Sequence, residues 1–498
     1  MRTTKLICLA VVSLALAGRI PAATMTTTNR VLSLDECIHL ALQFNLDVQI
    51  KRVSPLIDEF TLAGAYGAYD PNFNFTARQN FNSSPGSTDP NSVLFGVSSD
   101  NYTDTFGPSF TGTFSTGTRY TLAGSMVRNS GSSFPIGSAY SAAASLSLTQ
   151  PLLKNFWIDA TRQTIEVSKR NLKIDELALR LQIMNTITSV QLAYYDLIFA
   201  RDNVKVQEAS LGLAEELLAQ NKIRVNLGAL APLDEKQSES QVAARKADLL
   251  SAQRDLASQQ NALKSLLTAD YLTWQNVNPE PSDVLVALPE NFNLQESWTH
   301  GMTLRPDLQQ QRESVEKQNI SIKYSYNQLF PQLDLTTTYG HNGIGRTVPG
   351  VLNGIQSGNN QFYSYQLVLT LPLDNTSAKN NYKSSKATKE LILLQLKQTE
   401  QRIIVDIDNA VKTAQSNFDK LDATREARKF AELALKAEQT KLENGKSTSF
   451  IVLQLQRDLT AAKTAEIRAL ADYNKSLSSL SLSEGTTLEK AKLKVEVK

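Results

Sequence analysis

Apolar residues recur at strict seven-residue spacing along one proline-free stretch of the chain. The positions are Ile183, Val190, Leu197, Val204, Leu211, Leu218 and Val225. A 3.5-residue apolar period predicts a left-handed coiled-coil seam, because a 3.6-residue period would drift away from the seam. The stretch from Asp159 to Asn226 is therefore predicted to be one helix of about 100 Å at 1.5 Å rise per residue.

A second row of positions beside this seam is small or polar, which predicts close helix packing with a partly hydrated second face. The row consists of Thr186, Ala193, Ala200, Gln207, Ala214 and Asn221. On periodicity alone, a long spacer coiled coil without a pore is as good an interpretation as the wall of a channel.

The same pattern occurs a second time, in a predicted helix from Ser377 to Asn444. Its seam is interrupted by Arg428 and otherwise consists of Ile407, Ala414, Leu421, Leu435 and Leu442. Each long helix ends at a glycine, Gly228 or Gly445, which accepts the left-handed conformation that stops a helix. Return helices are predicted from Leu233 to Leu267 and from Ser449 to Leu482, so the chain should contain two long helical hairpins.

The order of signals is also repeated. Capping boxes at Ser33–Glu36 and Asn293–Glu296 lie 260 residues apart, and Tyr69–Phe73 matches Leu329–Leu333 at the same offset. Leu148–Leu152 matches Leu369–Leu373 at an offset of 221. We predict two structural repeats, 33–292 with a hairpin at 159–267 and 293–484 with a hairpin at 377–482, followed by a tail at 485–498.

Each repeat carries strand patterns ahead of its long helix. Apolar and polar residues alternate in Asn72–Asn82 and Phe362–Leu371, and Leu333–Tyr339 and Leu146–Leu148 complete the set. Such alternation suits an outer-membrane barrel strand, although a soluble two-layer sheet is equally compatible with each strand alone. A further hairpin within 109–127 is possible, and the sequence leaves open whether it joins the same sheet. Ser83–Thr103 and His341–Asn360 read as polar loops.

The N-terminus resembles a secretory signal peptide, residues 1–23. Basic residues precede a short apolar core, and small residues allow cleavage after Ala17 or near Ala23; an uncleaved anchor is the alternative. Loss of Arg2, Lys5 and Arg19 changes the formal net charge from +2 to about −1, which suggests no nucleic-acid partner. Beyond this segment no apolar window is long enough for a transmembrane helix.

Chemistry that would indicate an enzyme or a metal centre is missing from the sequence. Cys37 is the one cysteine after the signal segment, and His39, His300 and His341 have no partners at metal-ligand spacing. We find no phosphate-binding loop, nucleophile elbow or zinc motif. The sequence therefore predicts no enzyme, cofactor or metal ion.

The duplicated order of short helices, strands, long helix, glycine turn and return helix resembles the TolC-like outer-membrane efflux and secretion channels. Gln150-Pro-Leu-Leu153 at the strand-to-helix junction and Leu227-Gly-Ala-Leu-Ala-Pro-Leu-Asp234 at the first turn carry the likeness. The resemblance implies a mainly α fold with β structure: a homotrimeric outer-membrane β-barrel, about four strands per chain, continued by a long α-helical periplasmic tunnel. Twelve strands and twelve helices would form each trimer.

The resemblance also implies a gate and adaptor-docking site at the glycine turns. The family's aspartate six residues after the first glycine corresponds to Asp234. The acidic positions six and nine residues after the second glycine correspond to Ile451 and Gln454, and the family's arginine to Ser447. These three positions depart from the family's pattern, so the gate would instead depend on the charged residues around Gly228 and Gly445, namely Arg224, Asp234 and Lys446.

By this resemblance the chain would be a passive exit duct for a tripartite efflux pump or a type I secretion system. Its partners would be a periplasmic adaptor protein, an inner-membrane transporter and outer-membrane lipid. It would lie in the outer membrane, with the tunnel projecting into the periplasm. The alternatives are a periplasmic coiled-coil spacer without a pore and, less compatible with the residues, a secreted enzyme.

Overall fold

The computed structural model describes residues 28–86, 88, 90–91, 96, 98–132, 134, 137–228 and 230–493. The signal peptide expected at 1–23 and the end of the C-terminal tail lie outside these residues. By contacts between backbone positions, the chain divides into two compact units. The first contains residues 28–41, 193–285 and 428–471, and the second contains 42–192, 286–427 and 472–493.

The four longest helices lie where the heptad pattern predicts them. They are α3 (Ala160–Asn226, 67 residues), α4 (Pro232–Leu267), α8 (Thr376–Glu443, 68 residues) and α9 (Ser449–Glu484). Each begins and ends within two residues of its predicted bounds. Sustained apolar periodicity with no internal proline makes helices of this length the most predictable part of the chain.

Pairs of short helices precede the strands in each half of the chain. They are α1 (Leu34–Phe44), α2 (Leu46–Tyr66), α5 (Leu294–Leu304) and α6 (Pro306–Asn327). The capping box at α1 is confirmed, because the Glu36 N–H donates to Ser33 Oγ (3.2 Å) and the Ser33 N–H donates to Glu36 Oε2 (2.9 Å). At α5 the Asn293 side chain accepts the N–H of Gln295 and of Glu296.

The second unit contains one antiparallel sheet of six strands in the order β2-β3-β4-β5-β7-β8. The strands are β2 (Asn72–Ser84), β3 (Ser99–Thr113), β4 (Arg119–Gly131), β5 (Ala139–Pro151), β7 (Gln332–Gly345) and β8 (Gln361–Thr370). The hairpin that the sequence left open is thus β3 and β4, paired between β2 and β5.

One face of this sheet carries large apolar side chains from every strand. Strand pairing aligns one of them on each strand in a single row across the sheet, and each is between 43% and 69% exposed. The row is Phe73, Phe110, Leu122, Leu146, Tyr339 and Tyr363. Side chains alternate between the two faces of a sheet along each strand. Because these aligned residues lie on the same face in all six strands, they define one common apolar face.

Two expectations about the strands need correction, and one pair of strands was not expected. The described sheet has six strands per chain instead of about four, because the β3–β4 hairpin is paired between β2 and β5. The segment His341–Asn360 is not simply a loop: β7 extends to Gly345 and a short helix, α7 (Val348–Gln356), follows. A parallel pair, β1 (Thr28–Leu32) with β6 (Val277–Pro281), was not foreseen, because neither five-residue segment alternates clearly.

Each unit has its own apolar core. In the second unit Leu308 of α6 packs with Ile403, Ile407 and Val411 of α8, and Leu480 of α9 joins them. In the first unit Leu217 of α3 packs with residues of the second hairpin, Leu435, Leu442, Val452, Leu453 and Leu459. The chain ends with the single-turn helix α10 (Thr487–Lys490).

The predicted seams are buried, with one change of phase. All five apolar positions of the α8 seam are buried, and the interrupting Arg428 pairs with Glu466 of α9. On α3 the seam is buried from Ile183 to Val204, but Leu211, Leu218 and Val225 are only half-buried. There the buried row consists of Ser210, Ala214, Leu217 and Asn221.

Candidate functional site at the two helical turns

A glycine with a left-handed backbone lies two residues after the end of each of the helices α3 and α8. Gly228 has φ +75° and Gly445 has φ +68°, a region in which other residues are strained. At Gly445 the N–H donates to the Leu442 carbonyl (3.1 Å) and the Lys446 N–H donates to the Lys441 carbonyl (2.8 Å). This pair of bonds is a Schellman motif, which satisfies the last carbonyls of α8 and turns the chain towards α9.

The first turn leads into α4 through a proline and an acidic first turn. Pro232 occupies the first helical position, where its missing N–H costs no bond. The Asp234 carboxylate accepts the Ala231 N–H at 3.2 Å, which satisfies a donor ahead of the helix. Asp234 therefore has a demonstrable structural role at the start of α4, beside any role in a pore.

A chain of buried polar side chains joins the two turns. Asn221 of α3 donates to Ser238 Oγ of α4 at 2.8 Å, and Ser449 Oγ of α9 donates to Asn221 Oδ1 at 3.1 Å. Ser238 in turn donates to the Asp234 carbonyl at 2.9 Å. Asn221, Ser238 and Ser449 are at most 2% exposed, so the two bonds of Asn221 are shielded from water and expensive to lose.

Polar contacts of the same kind continue along α3 and α9. Ser210 lies 2.9 Å from Thr460, and Asn203 lies 3.2 Å from Thr464, between side-chain oxygens. Gln456 donates to the Leu213 carbonyl at 3.5 Å. We call these contacts and the Asn221–Ser449 bond the α3–α9 polar ladder. From one contact to the next, the residue number rises along α3 and falls along α9, so the two helices pack antiparallel.

Glu438, near the end of α8, has two partners beside the second turn. Ser447 donates to the Glu438 carboxylate at 2.5 Å and Lys441 pairs with the same group at 2.9 Å. The Ser447 hydrogen bond, followed by Lys441, lowers the pKa of Glu438. Arg224 lines a groove of about 220 Å³ together with Glu216 and Glu443, while Lys446 is exposed.

The outer surface of the turns exposes large apolar side chains. Leu227, Leu233 and Phe450 are each exposed by more than 60%, and Ile451 is also exposed. Between α4 and α9 lies a groove of about 520 Å³, lined by Leu233 and Phe450 and by Gln454 and other polar side chains. The structure thus places the eight predicted residues at or beside the two turns, while their functional roles remain predictions.

The sequence reasoning missed most of the polar ladder. It singled out Asn221 as a polar residue beside the heptad seam, but not its partner Ser449 or the pair Ser210 and Thr460. A serine or threonine in a helix usually forms a bond within its own helix, so nothing local distinguishes these from solvated residues. Their partners are defined by the packing of α3 against α9.

Among the described residues, no group of three or more histidine, cysteine or acidic side chains is placed to hold a metal ion. A search of those residues for long apolar helices finds none with the length and hydropathy needed to cross a membrane.

The sequence matches the outer membrane efflux protein family over residues 71–269 and 303–486, which is more than half of the chain. The protein belongs to this family of outer-membrane channel proteins, and the TolC-like resemblance is confirmed. Among curated proteins, it is similar to nodulation protein T of Rhizobium leguminosarum bv. trifolii, with 22% identity over 338 residues, 64% of this chain and 68% of that protein.

Solved structures share the fold at low sequence identity. The CmeC outer membrane channel of Campylobacter jejuni has 16% identity, covers 96% of this chain and 94% of its own, and has a TM-score of 0.65. The outer membrane protein VceC of Vibrio cholerae has 17% identity, 91% and 96% coverage, and a TM-score of 0.64. These likenesses establish a common fold.

Proposed function

We propose that the chain is one subunit of a passive homotrimeric channel in the outer membrane, which serves as exit duct for an efflux pump or a type I secretion system. Three copies would close their sheets into one barrel and their long helices into one periplasmic tunnel. The observation that carries the proposal is the six-stranded sheet with one apolar face, whose last strands lead directly into the long helices α3 and α8.

An open sheet alone is not a stable membrane structure. In lipid, the free edges of β2 and β8 would leave backbone donors and acceptors without partners. Each such unsatisfied group costs on the order of several kcal/mol. Six strands are also fewer than the eight of the smallest outer-membrane barrels. Assembly of several copies satisfies both requirements.

Energy and cargo would come from partner proteins. The two repeats, 33–292 and 293–484, would each supply one hairpin, and the exposed apolar residues at the turns would bind a periplasmic adaptor protein. The adaptor would connect the tunnel to an inner-membrane transporter. Exposed Leu227, Leu233 and Phe450 are the best-suited contacts, because apolar area buried at an interface is the main favourable contribution to association.

Mass measurement in detergent tests the assembly. The purified full-length protein should require detergent for extraction and should have the mass of three chains. A water-soluble coiled-coil spacer would be released without detergent, and any other oligomeric state would contradict the proposed trimer.

The gate role of the turns is tested by ion selectivity in a planar bilayer. Lys446→Glu should shift the reversal potential towards cation selectivity, because six unit charges change at the narrow end of a trimer. Lys246→Glu, an exposed change on α4, is the matched control and should leave the potential unchanged. Equal shifts in both variants would remove Lys446 from the gate.

A further inference from the structure

We infer that β8 of one copy pairs antiparallel with β2 of the next, and that all six strands of each copy enter the wall, giving a barrel of 18 strands. The inference rests on the proposed trimer. It departs from the family resemblance, which implies 12 strands.

The two edge strands are exposed along almost their whole length. In β2 every residue but the last is exposed, and in β8 every residue but Phe362, whereas the four inner strands are mainly half-buried. Natural proteins rarely leave long, flat and apolar edges unpaired. Both edges carry aromatic side chains on the common apolar face, among them Phe81 and Tyr365.

The repeat in the sequence identifies a second copy of this chain as the partner of the two edge strands. Within one chain, the last strand of the first half, β5, pairs with the first strand of the second half, β7. In this pairing Leu148 lies opposite Thr337 and Leu146 lies opposite Tyr339. β8 corresponds to β5 at an offset of 221, and β2 corresponds to β7 at an offset of 260. The same junction between two copies places β8 beside β2.

These offsets fix a register as well as a partner. Leu148 corresponds to Leu369 and Thr337 to Ala77, so Leu369 should lie opposite Ala77. Residues 362–370 then pair with 76–84, within the bounds of both strands. Tyr365 lies opposite Phe81 in this register, and both belong to the common apolar face. A slip of one residue would put them on opposite faces.

The β3–β4 hairpin belongs to the wall because it contributes to the same face. Phe110 and Leu122 stand in the row that crosses all six strands, and Phe110 packs against Phe73 of β2 with ring centres 4.9 Å apart. Removing the hairpin from the wall would break 13 residue pairs between β2 and β3. Six is an even number, so antiparallel alternation continues across each junction between copies.

An 18-stranded wall changes the outer-membrane opening. Barrel diameter grows roughly linearly with strand number, so the barrel would be roughly 1.5-fold wider than one of 12 strands. Barrels of about this size leave an aqueous channel.

Disulfide cross-linking tests the register in the assembled protein. Gln366 and Asn80 are opposite each other in the proposed pairing and on the polar face, so N80C/Q366C should form covalent dimers and trimers on oxidation. Each single variant should stay monomeric on a denaturing gel. The matched control N80C/T370C is displaced by four residues, or about 13 Å, beyond disulfide reach. Absence of cross-links in N80C/Q366C, or equal cross-linking in the control, overturns the register.

Electron microscopy of the detergent-solubilised oligomer counts the strands directly. Cross-sections through the barrel should show 18 strands. A conducting trimer with 12 strands would refute this inference and leave the proposed channel intact, whereas a protein that does not form trimers would refute the channel itself.

Discussion

At the scale of single residues, Gly445 shows how a helical turn depends on backbone conformation alone. Its φ is +68°, and a Cβ built there would meet no atom within 4 Å. A side chain at this position therefore costs the strain of the left-handed conformation, about 1–2 kcal/mol, and nothing for steric overlap.

Gly445→Ala should accordingly lower the thermal unfolding midpoint of the detergent-solubilised protein, followed by helical circular dichroism. Gly212→Ala is the control, because Gly212 lies inside α3 and its Cβ would also be in open space. That change should stabilise by roughly 0.5–1 kcal/mol, since alanine is the better helix former. Destabilisation of the same size in both variants would contradict this account of the turn.

Asn221 is the residue on which the joined turns depend most. Asn221→Ala removes its bonds to Ser238 and Ser449 and leaves these buried hydroxyls with fewer partners, at a cost of about 1–3 kcal/mol. Hydrogen exchange should become faster at the start of α9 as well as on α3. Asn226→Ala, at an exposed position on the same helix, is the control and should leave hydrogen exchange unchanged in both helices. If exchange in Asn221→Ala became faster on α3 alone, Asn221 would not connect the hairpins.

Sequence reasoning at this scale succeeded where the signal was local. The glycines that end the helices and the Ser33–Glu36 capping box follow from chemistry within a few residues. The placement of Ser238 and Ser449 opposite Asn221 does not, because these residues are 17 and 228 positions away from it. Residue types alone cannot specify such distant partners.

At the scale of elements, the α3–α9 polar ladder explains why the buried row on α3 changes phase. The apolar seam packs as predicted up to Val204, and beyond it the helix presents Ser210 and Asn221 to α9. Periodicity predicted both helices and their lengths, but it contains no information about which helix packs against which.

The ladder makes a prediction for a double-mutant cycle. Thr460→Val alone should destabilise by about 1–3 kcal/mol because Ser210 stays buried without its partner. Adding Ser210→Ala should recover part of this loss, since apolar groups then replace both partners. Thermal unfolding of the four proteins measures the coupling; strictly additive effects would show that the two hydroxyls do not interact.

The β1–β6 region should respond to acid. Asp283 accepts the Leu34 N–H (3.0 Å) and lies 2.8 Å from the Tyr194 hydroxyl. Partial burial raises the pKa of Asp283, but these hydrogen bonds and one from Ser282 outweigh it and lower the pKa below its usual value. A lowered pKa adds stability above the unfolded-state pKa of about 3.9, and this stability is lost as pH falls through the folded-state pKa.

We therefore expect Asp283→Asn to lower the thermal unfolding midpoint at pH 7. The difference between the midpoints at pH 7 and at pH 3 should become smaller than in the wild type. Glu280→Gln, at a neighbouring acidic position on β6, is the control, because this change leaves the bonds of Asp283 to Tyr194 and to Leu34 of α1 in place. An unchanged pH profile in Asp283→Asn would exclude this carboxylate as a source of acid sensitivity.

At the scale of the whole molecule, the resemblance to TolC-like channels predicted the class of protein, and it depends on patterns that recur along the chain. Duplicated heptads, strands with one apolar face and glycine turns are long-range repetitions of local patterns, and these are readable from one chain. The number of strands could not be read from the sequence in the same way. β3 contains residues that are rare in strands, such as Asp104, Gly107 and Pro108, and these weaken its strand signal. Pairing with β2 and β4 overrides that local preference.

Conductance of the purified protein in a planar lipid bilayer tests the central claim, a trimeric channel, most directly. The account predicts discrete current steps from the wild-type trimer, and larger or more frequent openings when the turns are loosened by Asn221→Ala. A stable, membrane-inserted trimer that carries no current, either as wild type or with any substitution at the turns around Gly228 and Gly445, would contradict it.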